Sequence, residues 1–150
     1  MVESQIPAVA RFFFLTLPNQ DKMHEGIYRT ILRLNKIYKE DPSKEEDGSL
    51  LVFWTYFYWK RMQNDKRMLS FLRPQKPPEG LKFVVPESID LSLWQQLLRE
   101  SKEEEALFLI WSHVMNISDH NIAKGMGLSD GTVRFRIGNA LKKLGKIVED

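Results

Sequence analysis

The stretch Ile117–Arg134, which reads ISDHNIAKGMGLSDGTVR, contains the start and stop signals of two consecutive helices. Ser118 and Ser129 each stand where a serine hydroxyl accepts a hydrogen bond from the first turn of a helix. Gly127 lies between them, where a positive φ ends the first helix within a tight turn. The stretch therefore predicts a short helix, a glycine turn and a second helix that runs on to about Val148.

The apolar residues of this region are spaced so that the two helices pack on each other. Ala123 is small where the helices must cross closely, and a seam of four larger residues is predicted between them: Ile122, Leu128, Val133 and Ile137. This packing predicts a helix-turn-helix, in which the second helix presents its N-terminal residues to base edges in the major groove of DNA. The simpler alternative is a helical hairpin that binds nothing, since caps and glycine turns occur in many helix pairs.

The second helix of this motif carries the candidate duplex-binding residues. Arginines near the start of such a helix are suited to reading bases, and lysines further along are suited to phosphates. We expect Arg134 and Arg136 to contribute most to duplex binding, and Lys146 to be a further phosphate contact. The full set of candidates in this helix is Ser129, Asp130, Gly131, Thr132, Arg134, Phe135, Arg136, Asn139, Lys142 and Lys143.

Helical spacing of apolar residues extends over the rest of the chain without sustained strand alternation, so we predict an all-α protein. Three prolines and a glycine between Arg73 and Gly80 cannot continue a helix. We therefore predict two small helical domains, residues 1–72 and 91–150, that are joined by a proline-rich linker, residues 73–90, and fold as separate units. The predicted helices are Ile6–Leu17, Asp21–Tyr38, Ser49–Leu72, Leu91–Arg99, Lys102–Met115, Asp119–Met126 and Asp130–Val148.

The third predicted helix begins with aromatic residues and ends with basic ones. Aromatic side chains beside cations are what single-stranded nucleic acid binding uses, for base stacking and for the backbone. We favour burial in the core for Phe53, Trp54 and Phe57, while Tyr56 and Trp59 are the better surface candidates. The candidate polar DNA contacts of this helix are Lys60, Arg61, Asn64, Lys66 and Arg67.

Two parts of the sequence resemble bacterial sigma factors of the two-domain, extracytoplasmic-function group. LWQQLL at 93–98, NIA at 121–123, LSDGTVRFRI at 128–137 and ALKKL at 140–144 are similar to the domain that reads the promoter −35 element. LTLPNQDK at 15–22, TILR at 30–33 and FWTYFYWKRMQNDKR at 53–67 are similar to the domain that reads the −10 element. The resemblance implies binding of duplex promoter DNA and core RNA polymerase, and capture of a base extruded from the −10 element. An anti-sigma factor is a usual partner in the family.

One helix departs from the family pattern where polymerase would bind. The resemblance places these contacts at Glu25, Tyr28, Arg29 and Leu32. Tyr28 and Arg29 stand where the family usually has a Gln-Glu pair, and an arginine cannot accept the hydrogen bonds that a basic surface donates. Gly26, in the middle of the helix, costs ~1 kcal/mol relative to alanine. We therefore expect weak polymerase binding, which Tyr28→Gln with Arg29→Glu would strengthen.

The composition argues against several other classes of protein. The chain has no cysteine and its histidines lack the spacing of a helical metal pair, so we expect no metal and no other cofactor. We find no nucleophile beside a base and no phosphate-cradling glycine loop, so we expect no enzyme and no small-molecule substrate. No apolar run approaches the ~20 residues of a membrane span, which favours a cytoplasmic protein or the cytoplasmic part of a longer one.

Three functions therefore stay open at the level of sequence. The first is a sigma factor that directs polymerase to a promoter. The second is a sigma-like regulator or scaffold that binds another protein, with or without DNA, and does not direct polymerase. The third is a small enzyme, for which the sequence offers no motif.

Overall fold

A computed structural model of the chain describes residues 5–63, 90–102 and 104–149. Every regular element in these ranges is helical, which confirms the all-α class. The elements are α1 (Ile6–Thr16), α2 (Gln20–Glu40), a short 3-10 helix (Pro42–Glu46), α3 (Gly48–Gln63), α4 (Leu91–Glu100), α5 (Glu105–Leu109) with a π-helical turn (Ile110–Val114), α6 (Asp119–Met126) and α7 (Asp130–Glu149). The predicted linker and the predicted end of the third helix lie outside the described residues. No helix in the described ranges is long and apolar enough to span a membrane.

Short polar side chains mark the residues at which α2 and α4 begin. The side chain of Asn19 accepts a hydrogen bond from the backbone nitrogen of Lys22 at the start of α2, and Asp90 caps α4 in the same way. These caps satisfy donors that the first turn of a helix leaves without a partner. Local capping therefore fixes where these helices begin.

The helix predicted from Lys102 to Met115 is shorter in the structure and changes its geometry. Glu104 has a φ of 62°, in the left-handed region, so the helix starts only at Glu105. From Ile110 the chain adopts a π-helical turn, in which the backbone nitrogen of Met115 donates to the carbonyl of Ile110 over 2.9 Å. This wider turn shifts the register of the chain around the buried side chain of Trp111.

Trp111 lies at the centre of a core that draws on both halves of the sequence. Its ring is fully buried and stacks on Phe12 of α1, with the ring centroids 5.8 Å apart. Its indole nitrogen donates a hydrogen bond over 3.0 Å to the hydroxyl of Thr55 in α3. The described parts of the two predicted domains thus contribute to one hydrophobic core, while separate folding of the halves stays a prediction.

Two glycines allow helices to approach more closely than any larger residue would. A Cβ atom on Gly125 of α6 would lie 2.7 Å from the carbonyl oxygen of Ser49 and 2.8 Å from Cβ of Val52 in α3. A Cβ atom on Gly26 of α2 would lie 2.7 Å from the ring of Phe13 in α1. The glycine in the middle of α2, which costs helix stability locally, therefore makes room for a buried ring.

The α3–α6 contact gives a test of the shared core. Gly125→Ala places a methyl group against backbone, so we expect it to lower the free energy of unfolding by about 1–3 kcal/mol, although alanine is the better helix former. Gly138→Ala is the matched control, because a Cβ atom there meets nothing within 4 Å, and it should raise stability by about 0.5–1 kcal/mol. Urea unfolding measures both. A Gly125→Ala variant as stable as Gly138→Ala would contradict the close crossing of α3 and α6.

Candidate nucleic-acid interface

The segment predicted to be a helix-turn-helix comprises α6, the turn at Gly127 and α7. Ser118 accepts a hydrogen bond from the backbone nitrogen of Asn121, and the hydroxyl of Ser129 accepts one from Thr132 over 3.1 Å. Gly127 has a φ of 67°, as its place in the turn requires. Both caps and the glycine turn predicted from the sequence are therefore present.

The seam between α6 and α7 is apolar, as the spacing of the sequence predicts. Ile122, Val133 and Ile137 are buried, Ala123 is buried beside them, and the partly buried Leu128 packs against the same core. This seam leaves one face of α7 on the outside of the molecule.

The exposed face of α7 carries part of the predicted DNA-binding set. Arg134 and Phe135 lie near its start, and 68% of Phe135 is exposed. The exposed candidates of this helix and its cap are Ser129, Gly131, Arg134, Phe135 and Lys142, whereas Asp130, Thr132, Arg136, Asn139 and Lys143 are half-buried. The structure thus divides the predicted set into an outward and an inward group.

Arg136 belongs to the inward group. Its guanidinium carbon lies 5.2 Å from the centroid of the Phe108 ring in α5, a cation–π distance. Arg134 lies two residues earlier, so on a helix the two side chains leave different faces. Of the two arginines predicted to contribute most to duplex binding, Arg134 is the one that projects into solvent.

Lys143 and Asn139 also face the protein interior. The ammonium group of Lys143 donates a hydrogen bond to Glu105, which is buried at the start of α5 and also accepts from the backbone nitrogen of Lys102. Burial alone would raise the pKa of Glu105, but the hydrogen bonds from Lys143, Lys102 and Asn139 outweigh it and hold the pKa below its ordinary value. These two candidates therefore anchor α7 to α5.

The aromatic residues of α3 are distributed differently from our expectation. Phe53 and Phe57, which we expected in the core, are 45% and 37% exposed, and Trp54 is half-buried. The buried side of the helix carries a less aromatic set instead: Ser49, Val52, Thr55, Tyr58 and Met62. The sequence did not indicate this buried side, because Ser49 and Thr55 are polar. Their burial depends on tertiary contacts, such as the hydrogen bond that Trp111 donates to Thr55.

The predicted cations of α3 are partly engaged in contacts within the protein. Lys60 lies 3.3 Å from the carboxylate of Glu104, to which the hydroxyl of Tyr56 also donates a hydrogen bond. Arg61 is exposed, with its guanidinium carbon 5.6 Å from the centroid of the Phe57 ring. The remaining candidates, Asn64, Lys66 and Arg67, lie outside the described residues.

The predicted polymerase-binding residues of α2 are mostly turned inward. Arg29 forms an ion pair with Glu25 one turn earlier, at 2.9 Å, and both side chains are largely buried. Tyr28 is half-buried, and only Leu32 is well exposed. Arg29→Glu would set a second carboxylate beside Glu25, so this substitution should destabilise α2 rather than restore a docking surface.

A small pocket beside these residues was not singled out from the sequence. It has a volume of about 190 Å³ and lies between α2 and α3, where it is lined by Arg29, Leu32, Arg33, Lys36 and Tyr58. The sequence could have indicated the cations of this pocket, because positions 29, 33 and 36 fall on one face of a helix. We call these five residues the α2–α3 pocket.

Comparisons of the chain with protein-family models, with curated proteins and with solved structures found no match. Among the described residues, no group of three or more histidine, cysteine or acidic side chains is placed to hold a metal ion.

The inward position of Lys143 can be tested through the pH dependence of stability. Since the pKa of Glu105 is lowered on folding, its carboxylate stabilises the protein above its ordinary pKa, and this contribution is lost as the pH falls through the lowered value. Lys143→Ala should lower the free energy of unfolding at neutral pH by about 1–3 kcal/mol. It should also reduce the loss of stability on acidification to about pH 4. Without the hydrogen bond from Lys143, the pKa of Glu105 is lowered less on folding.

Lys142→Ala is the matched control, because Lys142 is the exposed neighbour of Lys143. Urea unfolding across this pH range should give Lys142→Ala the same free energy of unfolding as the unaltered chain. If Lys143→Ala left the free energy of unfolding unaltered and weakened DNA binding, Lys143 would instead be a phosphate contact, as the sequence predicts.

Proposed function

We propose that the chain is a sigma-factor-like transcription initiation protein that binds duplex promoter DNA through α6 and α7 and recruits core RNA polymerase. The observation that carries the proposal is the exposed start of α7, where Arg134 and Phe135 project from a helix that Ser129 caps. A recognition helix reads bases with residues in this position. Arg134 suits a guanine edge, and Phe135 suits the methyl group of thymine.

The same face of α7 has room for a close approach of DNA. Gly131 and Gly138 lie on it, and a Cβ atom at either position would meet nothing within 4 Å. Lys142 and Lys146 are exposed further along the helix, where cations neutralise phosphates. The exposed face of α7 thus combines base-reading and phosphate-binding side chains, while Arg136, Asn139 and Lys143 of the inward group fix the orientation of the helix.

Polymerase binding depends on the resemblance to sigma factors and on the exposed Leu32. The ion pair between Glu25 and Arg29 favours a second candidate function, because it leaves this face of α2 without the free carboxylate that the family presents. In that case the chain is a sigma-like regulator or scaffold that binds DNA and another protein, such as an anti-sigma factor, and does not direct polymerase.

Duplex binding is tested by Arg134→Ala. We expect this change to weaken binding to a selected duplex by ~1–3 kcal/mol and to relax specificity at the base pair that Arg134 reads. Lys39→Ala is the control, since it removes one exposed positive charge at the end of α2. Fluorescence anisotropy measures the affinities. Equal affinities for the two variants would contradict the assignment of α7 as the recognition helix.

Two exposed leucines allow a matched test of polymerase binding. Leu32 is 42% exposed on α2, and Leu141 is 43% exposed on α7. In a DNA-free binding assay with core polymerase, Leu32→Ala should weaken binding about tenfold, as the loss of an apolar contact of ~1–2 kcal/mol implies, whereas Leu141→Ala should not. Absence of binding by the unaltered chain would favour the regulator over the sigma factor.

A further inference from the structure

A cavity of about 550 Å³ lies where the two parts of the chain meet. It is lined by residues at the end of α1, in the last turns of α3 and in α4, which come from both sides of the predicted linker. Its volume falls within the range of ~300–1,000 Å³ that small-molecule sites occupy. We call this cavity the junction pocket and define it by Trp59, Lys60, Gln95, Leu98 and Arg99.

The lining of the junction pocket is partly apolar and partly polar. Leu98 and Pro18 offer hydrocarbon surface, and Trp59 adds an indole ring. The side-chain amide of Gln95 both donates and accepts hydrogen bonds. Among its described residues the lining has no acidic side chain and no histidine. A small ligand with an apolar body and one polar end therefore matches this lining.

The cations of the junction pocket determine which charge the ligand should carry. The ammonium group of Lys60 lies 3.3 Å from the carboxylate of Glu104, which neutralises it. Arg99 is exposed and forms no ion pair with the described residues. One positive charge is thus left uncompensated, and it attracts a monoanion. A carboxylate is suited to this charge, because a guanidinium binds both of its oxygens at once.

Trp59 supplies a hydrogen-bond donor that the described part of the protein does not use. Its indole nitrogen is buried and has no hydrogen-bond partner among the described residues. The ring is half-buried and contacts Tyr56, with the two ring centroids 6.1 Å apart. A buried N–H without a partner is costly, so an acceptor that reaches it is favoured. Since the nitrogen is closed off from water, a ligand reaches it only when the ring shifts slightly.

We propose that the junction pocket binds a small organic monoanion, a carboxylate carried by an apolar body. Arg99 pairs with the carboxylate, Trp59 donates a hydrogen bond to the ligand, and Leu98 covers the apolar body. Because the pocket lies between α4 and the ends of α1 and α3, the bound ligand holds the two parts of the chain together. We assign binding and no reaction, since the described lining has no acid or base for catalysis. The site goes beyond the proposed function and does not depend on it.

The test uses the full ¹⁵N-labelled chain and three probes that separate charge from apolar contact: 2-naphthoate, its neutral amide 2-naphthamide, and acetate. 2-Naphthoate should shift the indole N–H signal of Trp59 and leave that of the buried Trp111 unchanged. Amide shifts in α4 give the affinities. 2-Naphthoate should bind at least about fivefold more tightly than 2-naphthamide, because only the anion pairs with Arg99. Acetate has the charge but no apolar body, so it should bind at least about tenfold more weakly.

Two substitutions with matched controls test the residues that make the site. Arg99→Gln should weaken 2-naphthoate binding about fivefold and leave 2-naphthamide binding within about twofold of the unaltered chain. Arg11→Gln, on an exposed arginine of α1 outside the pocket, should change neither. Trp59→Phe keeps an aromatic ring without the N–H and should weaken both naphthalene probes about three- to tenfold. Trp94→Phe, on a half-buried tryptophan of α4 outside the pocket, should not.

Equal affinities of Arg99→Gln and Arg11→Gln for 2-naphthoate would overturn the proposal. It would also be wrong if the indole signal of Trp59 did not shift up to about 10 mM 2-naphthoate, a range that covers fragments of this size. If acetate bound as tightly as 2-naphthoate, the pocket would hold an adventitious ion only. If 2-naphthamide bound as tightly, the site would not select an anion, and the proposal would fail.

Discussion

The contact of Trp111 with Phe12 and Thr55 is the interaction on which the rest of the structure depends. It joins α1, α3 and the π-helical turn in one core, and Gly125 allows α6 to lie directly on α3 next to it. Because α6 also packs on α7, the orientation of α7 is fixed relative to α3. The two helices therefore belong to one packed body over the described residues.

The charges of the protein divide into those that hold the fold and those that face outward. Lys143 neutralises the buried Glu105, and Arg136 lies over Phe108, so both anchor α7 to α5. Arg134 leaves the same helix on the other side and is free of these constraints. A small net charge of +2 is compatible with nucleic-acid binding because the outward cations are concentrated at particular places.

Local features of the structure could be predicted from the sequence, and features that depend on distant partners could not. Ser118, Ser129 and Gly127 act within one or two turns, so their roles were confirmed. The inward orientation of Lys143 depends on Glu105, 38 positions away, and the exposure of Phe53 depends on which side of α3 meets α1 and α2. The shared core could not be predicted for the same reason, since the sequence shows a proline-rich stretch but not which residues on either side of it pack together. The α2–α3 pocket combines both cases: the spacing of Arg29, Arg33 and Lys36 is local, but Tyr58 completes the pocket from another helix.

Amide chemical-shift mapping of the ¹⁵N-labelled chain tests most directly whether the outward face of α7 binds duplex DNA, as we propose. A short duplex would be added at low ionic strength, where sequence-independent binding is strong. We expect the largest shifts at the amides of Gly131, Arg134 and Phe135, while the amides around Glu105 and the indole N–H of Trp111 stay unchanged. Shifts confined to α2 and α3, with α7 unaffected, would contradict it.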